Sequence, residues 1–125
     1  MILDADVLID LLRALPQART WLSALPTQPA ISGMAALEVL FGARDMAELR
    51  KVEAYLNPFT ILWPSEADAQ AARRMARHRL SDGIEIMDVM TAAIALRHNL
   101  PVVTFNVRHF RAIPGLTTIQ PYTRI

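Results

Sequence analysis

Short β-rich runs alternate with stretches of helical periodicity along this chain, and that alternation limits the fold more than any other feature. Five runs are predicted to be strands: residues 1–3, 29–31, 60–63, 101–104 and 117–120. The last is expected at an edge of the sheet. Because a helical stretch separates successive strands, each connection has room to cross over and return in the same direction. The pattern therefore predicts an α/β fold with a central parallel sheet covered on both faces.

Helical spacing of apolar residues and capping side chains set the predicted helices. Asp4 or Asp6 is suited to cap the first helix, and Ser32 a later one. Ser65 with Asp68 three residues on resembles a capping box. Predicted helices span residues 7–13, 16–25, 33–43, 45–56, 65–80 and 86–99, with a turn at 81–83 and a tight loop or short helix at 106–110.

Composition narrows the class of protein. The chain has 125 residues, which fits one domain over residues 1–125. It contains no Cys, so disulfides and zinc–thiolate sites are excluded. No apolar run approaches the roughly 18 residues of a membrane span, and no signal peptide is expected. A cytoplasmic location is the expectation. The formal net charge of +1 gives no bulk attraction to nucleic acid, although twelve of thirteen basic residues are Arg.

Acidic side chains stand where the predicted elements meet. Asp4 ends the first strand, Glu38 lies within a helix, and Asp88 lies at the start of another. The carboxyl ends of parallel strands form one edge of the sheet, so Asp4 should meet the segment from Thr104 to Asn106 there. Simpler explanations exist for each acid alone: a helix cap for Asp4 or Asp88, and a solvated helix edge for Glu38. Their conjunction favours a shared site.

Clustered carboxylates suit a hard divalent cation. Mg²⁺ and Mn²⁺ prefer carboxylate and water ligands, and they activate water against phosphodiester bonds. The acidic pattern therefore predicts a metal-dependent enzyme that acts on phosphate-containing substrates.

Three segments resemble the PIN-domain ribonucleases, in particular the VapC-type toxins of type II toxin–antitoxin pairs. The segments are MILDADVLIDLLR (residues 1–13), ISGMAALEVLFGA (31–43) and MDVMTAAIALRHNLPVVTFNVRHF (87–110). The resemblance implies a three-layer α/β/α sandwich and endonucleolytic cleavage of RNA. It also implies a cognate antitoxin and a homodimer.

Carried over to this sequence, the resemblance makes Asp4, Glu38 and Asp88 the catalytic, metal-binding acids. It places Asp6, Thr104, Asn106 and His109 at secondary positions. Members of this family often have a further acid where Asn106 or His109 stands here, so one tightly held Mg²⁺ or Mn²⁺ is expected.

Several other positions leave two interpretations open. Arg97, Arg108 and His109 flank the predicted crevice, and either contact with RNA phosphates or plain surface charge accounts for them. The apolar helices over residues 37–55 have room for a groove that binds a partner, or for a dimer contact.

Two other functions are compatible with parts of the sequence. Asp4 and Asp6 have the Asp-x-Asp spacing of haloacid dehalogenase-type phosphatases. That mechanism needs a downstream Lys and a further acidic pair, whereas the only Lys is Lys51 in a charged helix. The second alternative is a PIN-fold binding module with weak catalysis, which the missing further acid motivates.

Overall fold

A five-stranded parallel sheet forms the centre of the molecule in the computed structural model, which describes residues 1–124. The strands are β1 (Ile2–Leu3), β2 (Ala30–Ser32), β3 (Ile61–Leu62), β4 (Val102–Val103) and β5 (Thr118–Ile119). Their order is β3-β2-β1-β4-β5, and every neighbouring pair is parallel. The predicted parallel sheet is confirmed, and β5 lies at its edge as expected. Most predicted strands are longer than the observed ones by a residue or two.

The register of the sheet brings two functional segments together. Leu3 of β1 is paired with Val103 of β4. The residues that follow, Asp4 and Thr104, therefore leave neighbouring strands at the same edge. Residues one hundred positions apart in the chain become neighbours through this one strand pairing.

Eight helices in residues 1–124 cover the sheet, and side-chain caps start several of them. Asp4 caps the first helix, Ser32 the third, Asp45 the fourth, and Ser65 with Asp68 forms a capping box on the fifth. The helices are α1 (Ala5–Leu12), α2 (Pro16–Ala24), α3 (Gly33–Phe41), α4 (Met46–Leu56), α5 (Glu66–Met75), α6 (His78–Asp82), α7 (Ile86–His98) and α8 (Val107–Phe110).

The helix predicted over residues 65–80 is divided in the structure. α5 ends at Met75, and the separate α6 runs through Asp82, so the predicted turn at 81–83 is reduced to Gly83 with φ of 72°. Around the break the backbone amides of Ala76 and Arg79 bond to carbonyls three residues earlier, which tightens the turn. No residue of α6 is buried, so packing does not hold a continuous helix straight there.

The core has two parts, one on each face of the sheet. Leu3 and Val103 pack into the cluster under α1 to α4, whereas Ile2 and Val102 pack into the cluster under α7 and α8. Burial of a large side chain such as Phe110 stabilises the fold by about 1.5–3 kcal/mol. Covered faces on both sides confirm the three-layer α/β/α sandwich. None of the helices described in residues 1–124 combines the length and hydropathy needed for a membrane span.

Candidate active site

Asp4 lies where β1 passes into α1, and it is held by neighbours on two sides. One carboxylate oxygen, Oδ1, accepts the backbone N–H of Ala5 at 2.9 Å, as a helix N-cap. The other, Oδ2, accepts the hydroxyl of Thr104 at 2.9 Å. Thr104 is fully buried and its Oγ1 also accepts the backbone N–H of Asn106 at 3.0 Å. Thr104 therefore fixes both the orientation of Asp4 and the loop after β4.

Asp6 is in the first turn of α1 and binds the same loop. Its Oδ2 accepts the backbone N–H of Phe105 at 2.8 Å and the hydroxyl of Thr104 at 3.3 Å. Its Oδ1 accepts the backbone N–H of Val7 at 2.8 Å. These bonds join the segment after β1 to the segment after β4, so Asp6 is part of the framework of the site.

Asp88 is in the first turn of α7, where the positive end of the helix dipole favours a carboxylate. Glu85 occupies the N-cap position of α7 and makes no side-chain capping bond. One carboxylate oxygen of Asp88 lies 3.3 Å from Nδ1 of His109 on α8. His109 was predicted at a secondary position, and the structure places it directly against Asp88.

Glu38 reaches the site from a different direction. It lies near the middle of α3, and its side chain is exposed. Its exposure agrees with the simpler explanation given for Glu38 above, a position on a solvated edge of the helix. Even so, Glu38 lines the same cleft as the other predicted acids, on the side formed by α3.

These side chains share one opening, here called the acidic cleft, with a volume of about 190 Å³. Four of its eight lining residues are carboxylic acids, and none is basic. The lining consists of Asp4, Ala5, Asp6, Ile9, Glu38, Met87, Asp88 and Asn106. The structure thus brings together the three predicted acids and two of the four secondary residues, while Thr104 contacts Asp4 and His109 contacts Asp88.

The acidic cleft concentrates negative charge that its own lining does not neutralise. Burial, and next the neighbouring Asp6, raises the pKa of Asp4 to about 7; Asp88 adds a smaller contribution in the same direction. Hydrogen bonds from Ala5 and Thr104 partly oppose this rise. Burial also raises the pKa of Asp6, although backbone hydrogen bonds and Arg124 act against it. A cation in the cleft would relieve this repulsion.

The donor set fits a hard divalent cation, because all of the ionisable groups in the lining are carboxylates. Within residues 1–124, however, no three acidic or histidine side chains are gathered closely enough to form a ready-made cation site. Glu38 is exposed and Asp88 is directed at His109, so joint coordination with Asp4 requires side-chain rotation. The shared cleft is observed, and coordination by all three acids stays a prediction.

Arg97 is not part of the acidic cleft. Its guanidinium donates to both carboxylate oxygens of Asp68, at 2.8 and 2.9 Å. It lies nine residues beyond Asp88 on α7, which places the two backbones about 13 Å apart along the helix. Arg97 therefore forms a structural ion pair that connects α7 to α5, and we do not expect it to contact RNA.

Sequence reasoning missed three residues beside the cleft: Asp10, Tyr122 and Arg124. Arg124 donates to Asp10 at 3.1 Å and to the backbone carbonyl of Asp6 at 3.2 Å. These contacts span more than one hundred positions, so local periodicity carries no signal for them. The exception is Asp10: as an acid among the apolar residues of α1, it signals that a polar or charged partner lies nearby.

Comparison with known proteins agrees with the fold. A model of the PIN domain matches residues 1–116. Ribonuclease VapC19 of Mycobacterium tuberculosis is 32% identical over 120 residues, covering 92% of this chain and 95% of that protein. Ribonuclease VapC10 of the same organism is 38% identical over 114 residues, covering 88% and 85%.

A solved toxin–antitoxin complex from Klebsiella pneumoniae contains a chain with the same architecture. That chain is 30% identical, with a TM-score of 0.79 over 97% of both chains. The matched PIN model and the two ribonucleases each cover most of the sequence, so the resemblance noted from the three segments is confirmed. This chain belongs to the PIN-domain family, within its VapC-type group.

Proposed function

We propose that this protein is a metal-dependent endoribonuclease that acts as the toxin of a toxin–antitoxin pair. The observation that carries the proposal is the acidic cleft, in which Asp4, Glu38 and Asp88 line one opening beside the carboxyl ends of β1 and β4. The relatives named as VapC ribonucleases and the Klebsiella complex support the same assignment.

Asp4, Glu38 and Asp88 would hold Mg²⁺ or Mn²⁺ in the cleft. When bound, such an ion supplies Lewis-acid activation of water and of the phosphodiester group. Thr104 holds Asp4 in place by its hydrogen bond, and Asp6 anchors the loop that carries Asn106. Burial of Asp4 at 7% exposure keeps bulk water from solvating its charge, so the interaction with a cation is strengthened.

Members of this family often have a further acid at a position matching Asn106 or His109; both residues are non-acidic here, and their surroundings favour a single ion. Asn106 lines the cleft with a neutral amide, and His109 contacts Asp88. With one carboxylate fewer, the cleft holds less negative charge to offset a second divalent cation. A single bound Mg²⁺ or Mn²⁺ is therefore the proposal.

An antitoxin has a suitable docking place next to the acidic cleft. A groove of about 360 Å³, here called the apolar groove, lies between α1, α3 and α4. Its floor includes Leu12, Val39 and Val52, and Arg13 and Lys51 lie at the same opening. Ile9 and Glu38 line both openings, so a segment bound in the apolar groove would extend directly to the acids. A homodimer stays a prediction from the resemblance.

Cleavage of a defined RNA by the purified protein tests the nuclease assignment. Asp4→Ala, Glu38→Ala and Asp88→Ala should each reduce Mn²⁺-dependent cleavage by about 100-fold or more while the protein stays folded. Glu48→Ala is the matched control, because Glu48 is a partly exposed acid at the neighbouring apolar groove and does not line the acidic cleft. Wild-type cleavage that persists in EDTA would contradict the metal requirement.

Two further measurements separate the nuclease from a weakly catalytic binding module. Calorimetry with Mn²⁺ should show binding to wild type and much weaker binding to Asp88→Ala. Sequencing of RNA ends after expression of wild type and of Asp88→Ala identifies the target and the cleavage position. A folded wild-type protein that binds RNA but yields no ends absent from Asp88→Ala would favour the binding module.

A further inference from the structure

The C-terminal segment returns to the site and packs against α1 and α2. Residues Tyr122, Thr123 and Arg124 are here called the C-terminal strap. The ring of Tyr122 makes edge contacts with Trp21 at 6.4 Å and with Phe105 at 5.1 Å between centroids. The backbone carbonyl of Thr123 accepts the side-chain amide of Gln17 at 3.3 Å. The strap is therefore fastened at several points along its length.

Asp10 on α1 is the anchor of the strap. Its Oδ2 accepts the hydroxyl of Tyr122 at 2.8 Å and Nε of Arg124 at 3.1 Å. Burial, together with the adjacent carboxylate, raises the pKa of Tyr122, so its hydroxyl stays protonated and donates. A charged residue buried on α1 is thereby paired and hydrogen-bonded.

Arg124 contacts two of the segments that contribute to the acidic cleft. Its Nη2 donates to the backbone carbonyl of Asp6 at 3.2 Å, on the segment after β1. Its guanidinium carbon lies 3.9 Å from the ring centroid of Phe105, on the segment after β4. These are the same two segments that the bond from the Phe105 N–H to the Asp6 carboxylate joins. Arg124 thus makes a second connection between these segments, in addition to the hydrogen bond from Phe105 to Asp6.

We propose that the C-terminal strap is a positioning device for the acidic cleft, with Arg124 holding the Asp6 and Phe105 segments at their working distance. The role rests on the proposed nuclease function. Arg124 acts through Asp6 and Phe105, and through them on the loop of Thr104 and Asp4. Small displacements of such groups are costly, since a shift of about 1 Å can lower a rate by about 100-fold.

The contacts of Arg124 distinguish positioning from direct binding of RNA. Three of its interactions go to the protein itself: to Asp10, to the carbonyl of Asp6 and to the face of Phe105. A planar guanidinium makes all three at once, whereas a Lys ammonium cannot stack on the ring while it donates along two directions. A positioning role therefore needs Arg, and a simple phosphate contact would accept Lys.

Kinetics with a short defined RNA test the proposal. Arg124→Gln and Tyr122→Phe should each lower kcat by about tenfold with KM changed less than about twofold. Arg124→Lys should behave like Arg124→Gln. Arg74→Gln, at an exposed position on α5, is the matched control and should leave both constants unchanged. Rescue by Lys together with a raised KM in Arg124→Gln would overturn the proposal in favour of an RNA contact.

Hydrogen exchange gives a readout that does not depend on cleavage. The Phe105 amide, bonded to Asp6, should exchange about tenfold faster in Arg124→Gln and in Tyr122→Phe, because the cleft framework opens more often. The amide of Ile31 in β2 should be unchanged. Unaltered exchange at Phe105 in both variants would overturn the strap proposal even if the wild type cleaves RNA. Faster exchange at Phe105 in the two variants, together with a wild type that shows no nuclease activity, would support the strap and reject the nuclease.

Discussion

The clearest test of the acidic cleft is the substitution Asp4→Asn in metal-free protein. Asn has nearly the same shape, and its Oδ1 can still accept the Ala5 N–H as the N-cap of α1. Its amide can donate to Oγ1 of Thr104, whose hydroxyl then turns to Asp6, 3.3 Å away. The hydrogen bonds are thus preserved while one buried negative charge is removed. We expect the variant to be more stable than the wild type without metal.

The magnitude follows from the raised pKa of Asp4, about 7 against an ordinary 3.8. A pKa difference of about three, at about 1.4 kcal/mol for each, makes ionised Asp4 a cost of up to about 4 kcal/mol. The folded state retains this proton to higher pH than the unfolded state. The cost is therefore absent below pH 3.8, grows until the pH reaches about 7, and stays constant above.

Structural relaxation and water penetration will reduce this maximum cost. We therefore expect the free energy of unfolding of Asp4→Asn to exceed that of the wild type by about 2 kcal/mol near pH 8. For a domain of this size that corresponds to a Tm higher by about 8 °C. Urea unfolding in EDTA, near pH 5 and near pH 8, measures the difference. The gain should be clearly smaller near pH 5, where the folded wild type is mostly protonated at Asp4.

Asp45→Asn is the matched control, because Asp45 caps α4 through the N–H of Glu48 but is exposed. Its effect on stability should be the same at both pH values. Addition of Mn²⁺ should stabilise the wild type more than Asp4→Asn, since a ligand stabilises the state that binds it. The reasoning is refuted if Asp4→Asn is no more stable than the wild type near pH 8 in EDTA, or if the gain does not grow between the two pH values.

Two further substitutions test the packing that supports the site, each by urea unfolding. Gly33→Ala should destabilise by about 1–3 kcal/mol, because the added Cβ would lie 2.8 Å from the ring of Trp63; Gly42→Ala, where the nearest atom is 3.3 Å away, should change stability by less than about 0.5 kcal/mol. Thr91→Val should cost about 1–3 kcal/mol, because it removes the buried 2.9 Å hydrogen bond to Ser32. Equal stability of the two Gly variants, or a Thr91→Val protein as stable as the wild type, would contradict these packing arguments.

Local patterns were sufficient to predict the strands and most helix starts. Each strand lies in a short β-rich run, Ser32 and Ser65 each make the expected cap, and Asp45 caps the helix that was predicted to start there. The strand order was not predicted, because it depends on which runs pair across the core. The break between α5 and α6 was missed because Arg, Met and Ala favour helix throughout that stretch. What the stretch lacks is a buried face, and exposed Leu80 belongs to no apolar stripe.

The acidic residues differ in how far the sequence alone could identify them. Asp4 follows an apolar run and precedes a helix, so strand-end geometry identifies it. Glu38 is exposed on α3, where a solvated helix edge would account for it alone; its conjunction with Asp4 and Asp88, and then the resemblance to the PIN family, pointed to the site. Tyr122 and Arg124 gave no signal, because their partners lie on α1 and after β4. Contacts of this kind form only through tertiary packing, and they leave no periodic pattern in the local sequence.

The arrangement of the site follows from a conflict between stability and function. Asp4 and Asp6 are partly buried side by side, and the pKa of each is raised, so the metal-free fold is strained by its own charges. Thr104 and the Phe105 N–H offset part of that cost by hydrogen bonds, and Arg124 supplies a positive charge from behind. None of these groups blocks the open side of the cleft. The repulsion that remains between the carboxylates therefore favours binding of a divalent cation. The same acids that destabilise the metal-free protein are the ones proposed to bind the metal.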